Sequence, residues 1–197
     1  IRKVSPEAVA KKLGMNEVDV IIGGPPCQGF SSLRPYRSSS VEDERNNLYV
    51  AFEAFVDFFR PKVVVMENVV GLITHNSGQT LKKILRDFKG LGYNVDWKIL
   101  NAAHYGIPQK RERFILIASQ KNTPICFPAT THYFSGRVIS TKDKQRHMPI
   151  DPNNPKALSV MNAIGDLPYL KSAQEKSKYE NKPKNEYQLK RRLGSTK

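Results

Sequence analysis

Apolar and polar positions alternate between two periods along the first 120 residues. Val18-Asp19-Val20-Ile21-Ile22 is a short β-branched run ending at Gly23-Gly24, which predicts a buried strand. A polar loop rich in Ser, Arg and Pro follows from about Pro25 to Asn46. Leu48, Phe52, Phe55, Val56 and Phe59 then recur at helical spacing, and Arg60-Pro61 ends the helix. Lys62 to Met66 reads as a second buried strand. Leu81, Ile84, Leu85 and Phe88 mark one side of a helix over Thr80 to Phe88, which Gly90 and Gly92 close. Tyr93, Val95, Trp97 and Ile99 alternate as a strand does, and Phe114 to Ala118 forms another.

This order of elements predicts an α/β fold, most simply a largely parallel sheet with helices on both faces. The last two strands have no helix between them and are candidates for antiparallel pairing. Right-handed crossovers gather the loops after the parallel strands on one edge, where open α/β sheets carry their ligand site. The periodicity dissolves after residue 120. Residues 121–170 read as an irregular connection with five prolines between 124 and 155, apart from a short helix over Leu158 to Ile164. Residues 171–197, with nine basic and three acidic side chains, read as a loosely ordered basic tail.

Composition narrows the function classes. The chain has 197 residues and a net charge of +14, with 39% hydrophobic residues, enough for a packed core and against global disorder. The charge calls for a polyanionic partner. No apolar run approaches the roughly 20 residues that a membrane-spanning helix needs, and no signal-peptide pattern is visible. Cys27 and Cys126 are too few and too far apart for a disulfide framework, so a reducing, cytoplasmic setting is expected.

Three unusual segments flank the predicted strands. They are Gly23-Gly24-Pro25-Pro26-Cys27-Gln28-Gly29-Phe30-Ser31, then Glu67-Asn68-Val69, then Gln109-Lys110-Arg111-Glu112-Arg113. Each is read as a loop at the ligand edge. A cysteine after a proline-stiffened turn suits an exposed nucleophile better than core filling. Cys126, within Pro124-Ile125-Cys126-Phe127-Pro128, reads instead as a structural apolar residue. His75, His104, His132 and His147 lack metal-ligand spacing, and there is no phosphate-binding or dinucleotide glycine loop. His104 is a conceivable partner for Cys27, but nothing in the sequence orients it.

Together the three segments resemble, in order and spacing, the motifs of the cytosine-5 DNA methyltransferase family. Connecting stretches agree: Arg60 to Met66, Leu100-Asn101-Ala102, Tyr105-Gly106-Ile107-Pro108, and Ala163-Ile164-Gly165-Asp166-Leu167-Pro168. The resemblance covers roughly residues 18–170. It implies part of the Rossmann-like sheet of an S-adenosylmethionine-dependent methyltransferase, with residues 1–120 as its catalytic part. It also implies double-stranded DNA as partner and a restriction–modification setting. Cys27 would attack carbon 6 of a flipped cytosine, Glu67 would hold ring nitrogen 3 and the amine, and Arg113, with Arg111 beside it, would grip the carbonyl oxygen. Pro26 and Leu48 would border the methyl donor. Pro25, Gln28, Ser31, Asn68 and Val69 would line the base, and the loop carrying Arg34, Arg37 and Arg45 would close over it. The family's Phe-x-Gly-x-Gly loop and most of its target-recognition region find no counterpart here. The expectation is therefore a catalytic core completed by flanking segments or a second chain. The rival expectations are a non-catalytic DNA-binding piece and an RNA cytosine-5 methyltransferase.

Overall fold

The computed structural model describes residues 4–25, 47–121, 123–136, 144–168 and 181–193. It falls into two compact units. The first comprises Ile1–Leu100, Glu112–Pro128 and Val138–Met148, and the second comprises Asn101–Arg111, Ala129–Arg137 and Pro149–Lys197.

The first unit begins with a helix that the apolar pattern does not announce, α1 (Pro6–Leu13). Its signals are local: Ser5 accepts from the Ala8 amide, proline stands at the first helical position, and Gly14 closes it with φ at 66°. Then come β1 (Val20–Gly23), α2 (Asn47–Phe59), β2 (Val63–Asn68), α3 (Gln79–Gly90), β3 (Asn94–Asn101) and β4 (Glu112–Ser119). Every strand and helix predicted in this stretch is present, with ends shifted by at most two residues. The four strands form one sheet in the order β1-β2-β4-β3. β1 lies parallel to β2, and β2 lies antiparallel to β4, so the sheet is mixed.

Alternation along β2 and β4 sets the core. Val64, Met66, Phe114, Leu116 and Ala118 are fully buried and pack with Val56, Phe88, Trp97 and Ile99. The Trp97 and Phe114 rings lie 5.3 Å apart. A polar tie joins α2 to α3: Tyr49 donates to Asp87 Oδ2 at 3.2 Å, and Lys83 Nζ pairs with the same oxygen at 2.5 Å. Burial, with the Glu53 and Asp87 carboxylates nearby, pushes the Tyr49 phenol far above its ordinary range, so it remains a donor. Beside β3, Arg146 pairs with Asp96 at 2.9 Å and lies over the Trp97 ring at 4.5 Å. His147 bridges to Ile99, and this short stretch covers the β3 side of the sheet.

Two sequence expectations change here. β1 is not a buried strand: Val20 and Ile22 are 50% and 74% exposed. A parallel strand is buried only where both faces are covered, and β1 borders an open groove. Cys126 is exposed rather than packed, because the extended chain around it turns Ile125 and Phe127 inward and the thiol outward.

The second unit is built on loop hydrogen bonds and two helices. Asn101 Oδ1 accepts from the Ala103 and Arg111 amides at 3.1 and 3.3 Å, closing the 102–111 loop on itself. α4 (Val160–Ile164) opens with a capping box between Ser159 and Asn162. α5 (Glu186–Leu193) lies inside the stretch expected to be a loose tail. Tertiary support holds it: the buried Asp166 carboxylate takes Arg192 Nη2 at 2.5 Å, and Asn185 Nδ2 donates to the Asn162 carbonyl at 2.9 Å. Among the described residues no helix is long and apolar enough to cross a membrane.

Candidate active site

Strand direction brings the strand-borne parts of the three segments, Gly23 to Pro25, Glu67-Asn68 and Glu112-Arg113, to one end of the sheet. β1 and β2 run parallel, so Gly23-Gly24-Pro25 and Glu67-Asn68 leave the same end. β4 runs the other way, so its first residues, Glu112 and Arg113, begin there. Glu67, Asn68, Glu112 and Arg113 lie in the strands rather than in the loops the sequence suggested. For Glu67 and Asn68 the reason is the ladder with β4, which continues to Asn68↔Phe114; Glu112 and Arg113 stand just beyond it, as the first two residues of β4. Period-two alternation then puts Glu67 and Arg113 on the more open face and Asn68 and Glu112, 4% and 6% exposed, on the buried one.

The register explains the central contact. Glu67 faces Ile115, and Arg113 is the diagonal neighbour two residues back on the same face. Long side chains span that diagonal, and Arg113 Nε reaches Glu67 Oε1 at 2.7 Å. Arg113 Nη1 also donates to the Glu112 carbonyl at 2.8 Å, which fixes the guanidinium plane. The Glu67 and Arg113 side chains are 44% and 24% exposed, so a ligand can reach the pair. On the other side, a Cβ added to Gly24 would lie 3.2 Å from Glu67 Oε2. Gly24 thus leaves room for the carboxylate against the backbone.

Asn68 points the other way. It is 4% exposed, and its Nδ2 donates to the Pro25 carbonyl at 3.2 Å. Val69 is half-buried, and its amide donates to Asn68 Oδ1 at 2.8 Å. Arg111 belongs to the second unit, where it is exposed and held by its backbone. His104 is likewise in the second unit, buried in the turn Ala102–Tyr105. Pro26, Cys27, Gln28 and Ser31 lie outside the described residues, as do Arg34, Arg37 and Arg45. No group of three metal-ligating side chains occurs among the described residues.

Alongside β1, between α1 and α2, runs a groove of about 370 Å³. Gly23, Gly24, Pro25, Leu48 and Phe52 line the end nearest Glu67. A Cβ on Gly23 would lie 2.4 Å from the Phe52 ring, so glycine there lets α2 pack directly on the strand. The sequence pattern does not reveal this groove; of the two residues that the resemblance sets beside the methyl donor, Leu48 lines it and Pro26 lies outside the described residues. The lining suits the flat adenine ring of S-adenosylmethionine. None of the lining residues is charged, so they leave the ribose hydroxyls and the amino-acid end without ionic partners.

The whole chain, residues 1–197, matches the family described as C-5 cytosine-specific DNA methylase. It is 37% identical to the Type II methyltransferase M.AgeI of Thalassovita gelatinovora, over all of this chain and 47% of that protein. It is 38% identical to the Type II methyltransferase M.DdeI of Desulfomicrobium norvegicum, over 94% of this chain and 41% of that one. The crystal structure assigned as a DNA modification methyltransferase encoded within an E. coli prophage aligns with a TM-score of 0.58 and 26% identity, covering 91% of this chain and 44% of that chain. The chain thus spans less than half the length of these proteins. Sequence motifs, sheet order and these likenesses converge: the chain belongs to the C-5 cytosine-specific DNA methylase family.

Proposed function

We propose that this chain is the catalytic core of a DNA cytosine-5 methyltransferase of the restriction–modification type. The observation that carries the reading is the partly exposed Glu67–Arg113 pair, set at the strand end where the chain runs on from Pro25 toward Cys27. Carbon 5 of cytosine is a weak nucleophile. A thiolate added at carbon 6 converts the ring to an enamine and makes carbon 5 reactive.

In this reading Cys27 forms the bond to carbon 6. Glu67 holds nitrogen 3 and the exocyclic amine and shares a proton with the ring. Arg113 grips the ring carbonyl with its guanidinium, and Arg111, two residues before it in the chain, supports it with positive charge. Pro25, Gln28, Ser31 and Val69 border the base, and Pro25, Pro26 and Leu48 border the cofactor. When bound, S-adenosylmethionine supplies an electrophilic methyl group. Transfer would release S-adenosylhomocysteine, and loss of the carbon 5 proton to water would then break the carbon 6–sulfur bond and release Cys27 as the thiolate. The base must be swung out of the helix first, at a cost of a few kcal/mol, and contacts between basic side chains and phosphates offset that cost.

Incubating the full-length protein that contains this chain with labelled S-adenosylmethionine and duplex DNA tests the reading. Label on carbon 5 of cytosine supports it. Label on RNA alone, or DNA binding without transfer, contradicts it.

Gly24→Ala is a finer probe. The added Cβ must push the Glu67 carboxylate by a few tenths of an ångström. Misplacement by 1 Å can cost about 100-fold, so a loss of about tenfold in kcat is expected, with the melting temperature nearly unchanged.

A further inference from the structure

We propose that Asn68 is a positioning residue, one that aims the cysteine-bearing loop instead of touching the base. The inference rests on the methyltransferase reading above but is carried by a separate contact. The β1–β2 ladder ends at Gly23↔Met66. Pro25 and Pro26 have no N–H to extend it, so beyond Gly24 the backbone offers only carbonyl acceptors until Cys27. Asn68 takes the Pro25 carbonyl with its side-chain amide at 3.2 Å.

The placement of Asn68 argues for this role. It stands on the core-facing file of β2, after Val64 and Met66, and is 4% exposed. A buried amide is costly unless bonded, and an aliphatic side chain would fill the same place without that cost. Asn68 spends both ends of its amide locally: Nδ2 on Pro25, and Oδ1 on the Val69 amide at 2.8 Å. Glu67 and Asn68 therefore divide the work of the strand end. The first is open to a ligand, and the second fixes the direction in which the chain leaves β1, two residues before Cys27.

Asn68→Asp, Asn68→Ser and Asn68→Ala test the clamp in the full-length protein. Asp keeps an acceptor for Val69 but sets an oxygen against the Pro25 carbonyl, while Ser and Ala remove the donor without adding charge, so an effect common to all three reports the bond. Two rates are read: methyl transfer at saturating DNA and cofactor, and alkylation of the Cys27 thiol against pH, followed by mass spectrometry of its peptide. The expected result is a fall in kcat of about 100-fold, in keeping with a displaced reacting group. KM for DNA should stay within about threefold, and the Cys27 alkylation profile should shift, since both follow from a misplaced thiol rather than from lost binding. Unchanged kcat and alkylation in folded variants would overturn the clamp. So would failure of all three variants to fold, which would make Asn68 a stability residue. Alkylation needs no substrate. A wild-type protein that transfers no methyl group would therefore sink the enzymatic reading alone, while shifted alkylation in the variants would still support the clamp.

Discussion

Glu67→Gln is expected to lower methyl transfer by about 100- to 10,000-fold, the range spanned by loss of a general acid or base. Glutamine keeps the length and volume of glutamate. Its carbonyl oxygen can still accept the Arg113 Nε that now lies 2.7 Å from Oε1. What disappears is the negative charge and the proton that the carboxyl shares with ring nitrogen 3. Glu67 is partly exposed at a strand end, so the substitution removes little packing, and the melting temperature should hardly move. Single-turnover kinetics with bound DNA isolate the chemical step. A variant that kept wild-type rates would remove Glu67 from the mechanism and leave it a partner in a surface ion pair.

Phe114→Ala should produce the largest loss of stability. Phe114 is fully buried at the register position opposite Asn68, and its ring packs on Trp97 at 5.3 Å. Truncating a buried phenylalanine costs about 3–5 kcal/mol. For a chain of this size that corresponds to a fall in melting temperature of roughly 6–20 °C. Differential scanning calorimetry of the two proteins checks it. The consequence reaches the site, because Phe114 is the residue after Arg113 and its ring anchors the start of β4. A loss below about 1 kcal/mol would mean that the site end of the sheet is not built on this core.

The strands and helices of the first unit were legible because their apolar spacing is simple. Val64, Met66, Phe114 and Leu116 alternate as a half-buried sheet requires. The site residues were placed in loops because polar letters suggest loops. The sheet carries them as strand ends, and only the register, not composition, shows that Glu67 and Arg113 share a face. α1 carried readable signals in Ser5, Pro6 and Gly14, but its apolar content is too thin for periodicity alone. α5 was not legible, since much of its support comes from Asp166, twenty residues before the helix begins. The exposure of Val20 and Ile22 also depends on what lies beside β1, which no local pattern encodes. Of the site as read from motifs, Glu67, Arg113 and Pro25 meet at one strand end, while Asn68 turns inward.

The central claim is that a thiol, a carboxyl and a guanidinium act on one cytosine. The most direct test is mechanism-based trapping of the full-length protein on duplex DNA bearing 5-fluorocytosine in the presence of S-adenosylmethionine. Fluorine at carbon 5 blocks the final elimination, so a sulfur that has added to carbon 6 stays attached. The account predicts a denaturation-resistant protein–DNA complex, with the cross-link mapped to Cys27 and lost in Cys27→Ser. No complex, or a complex that survives Cys27→Ser, would contradict it.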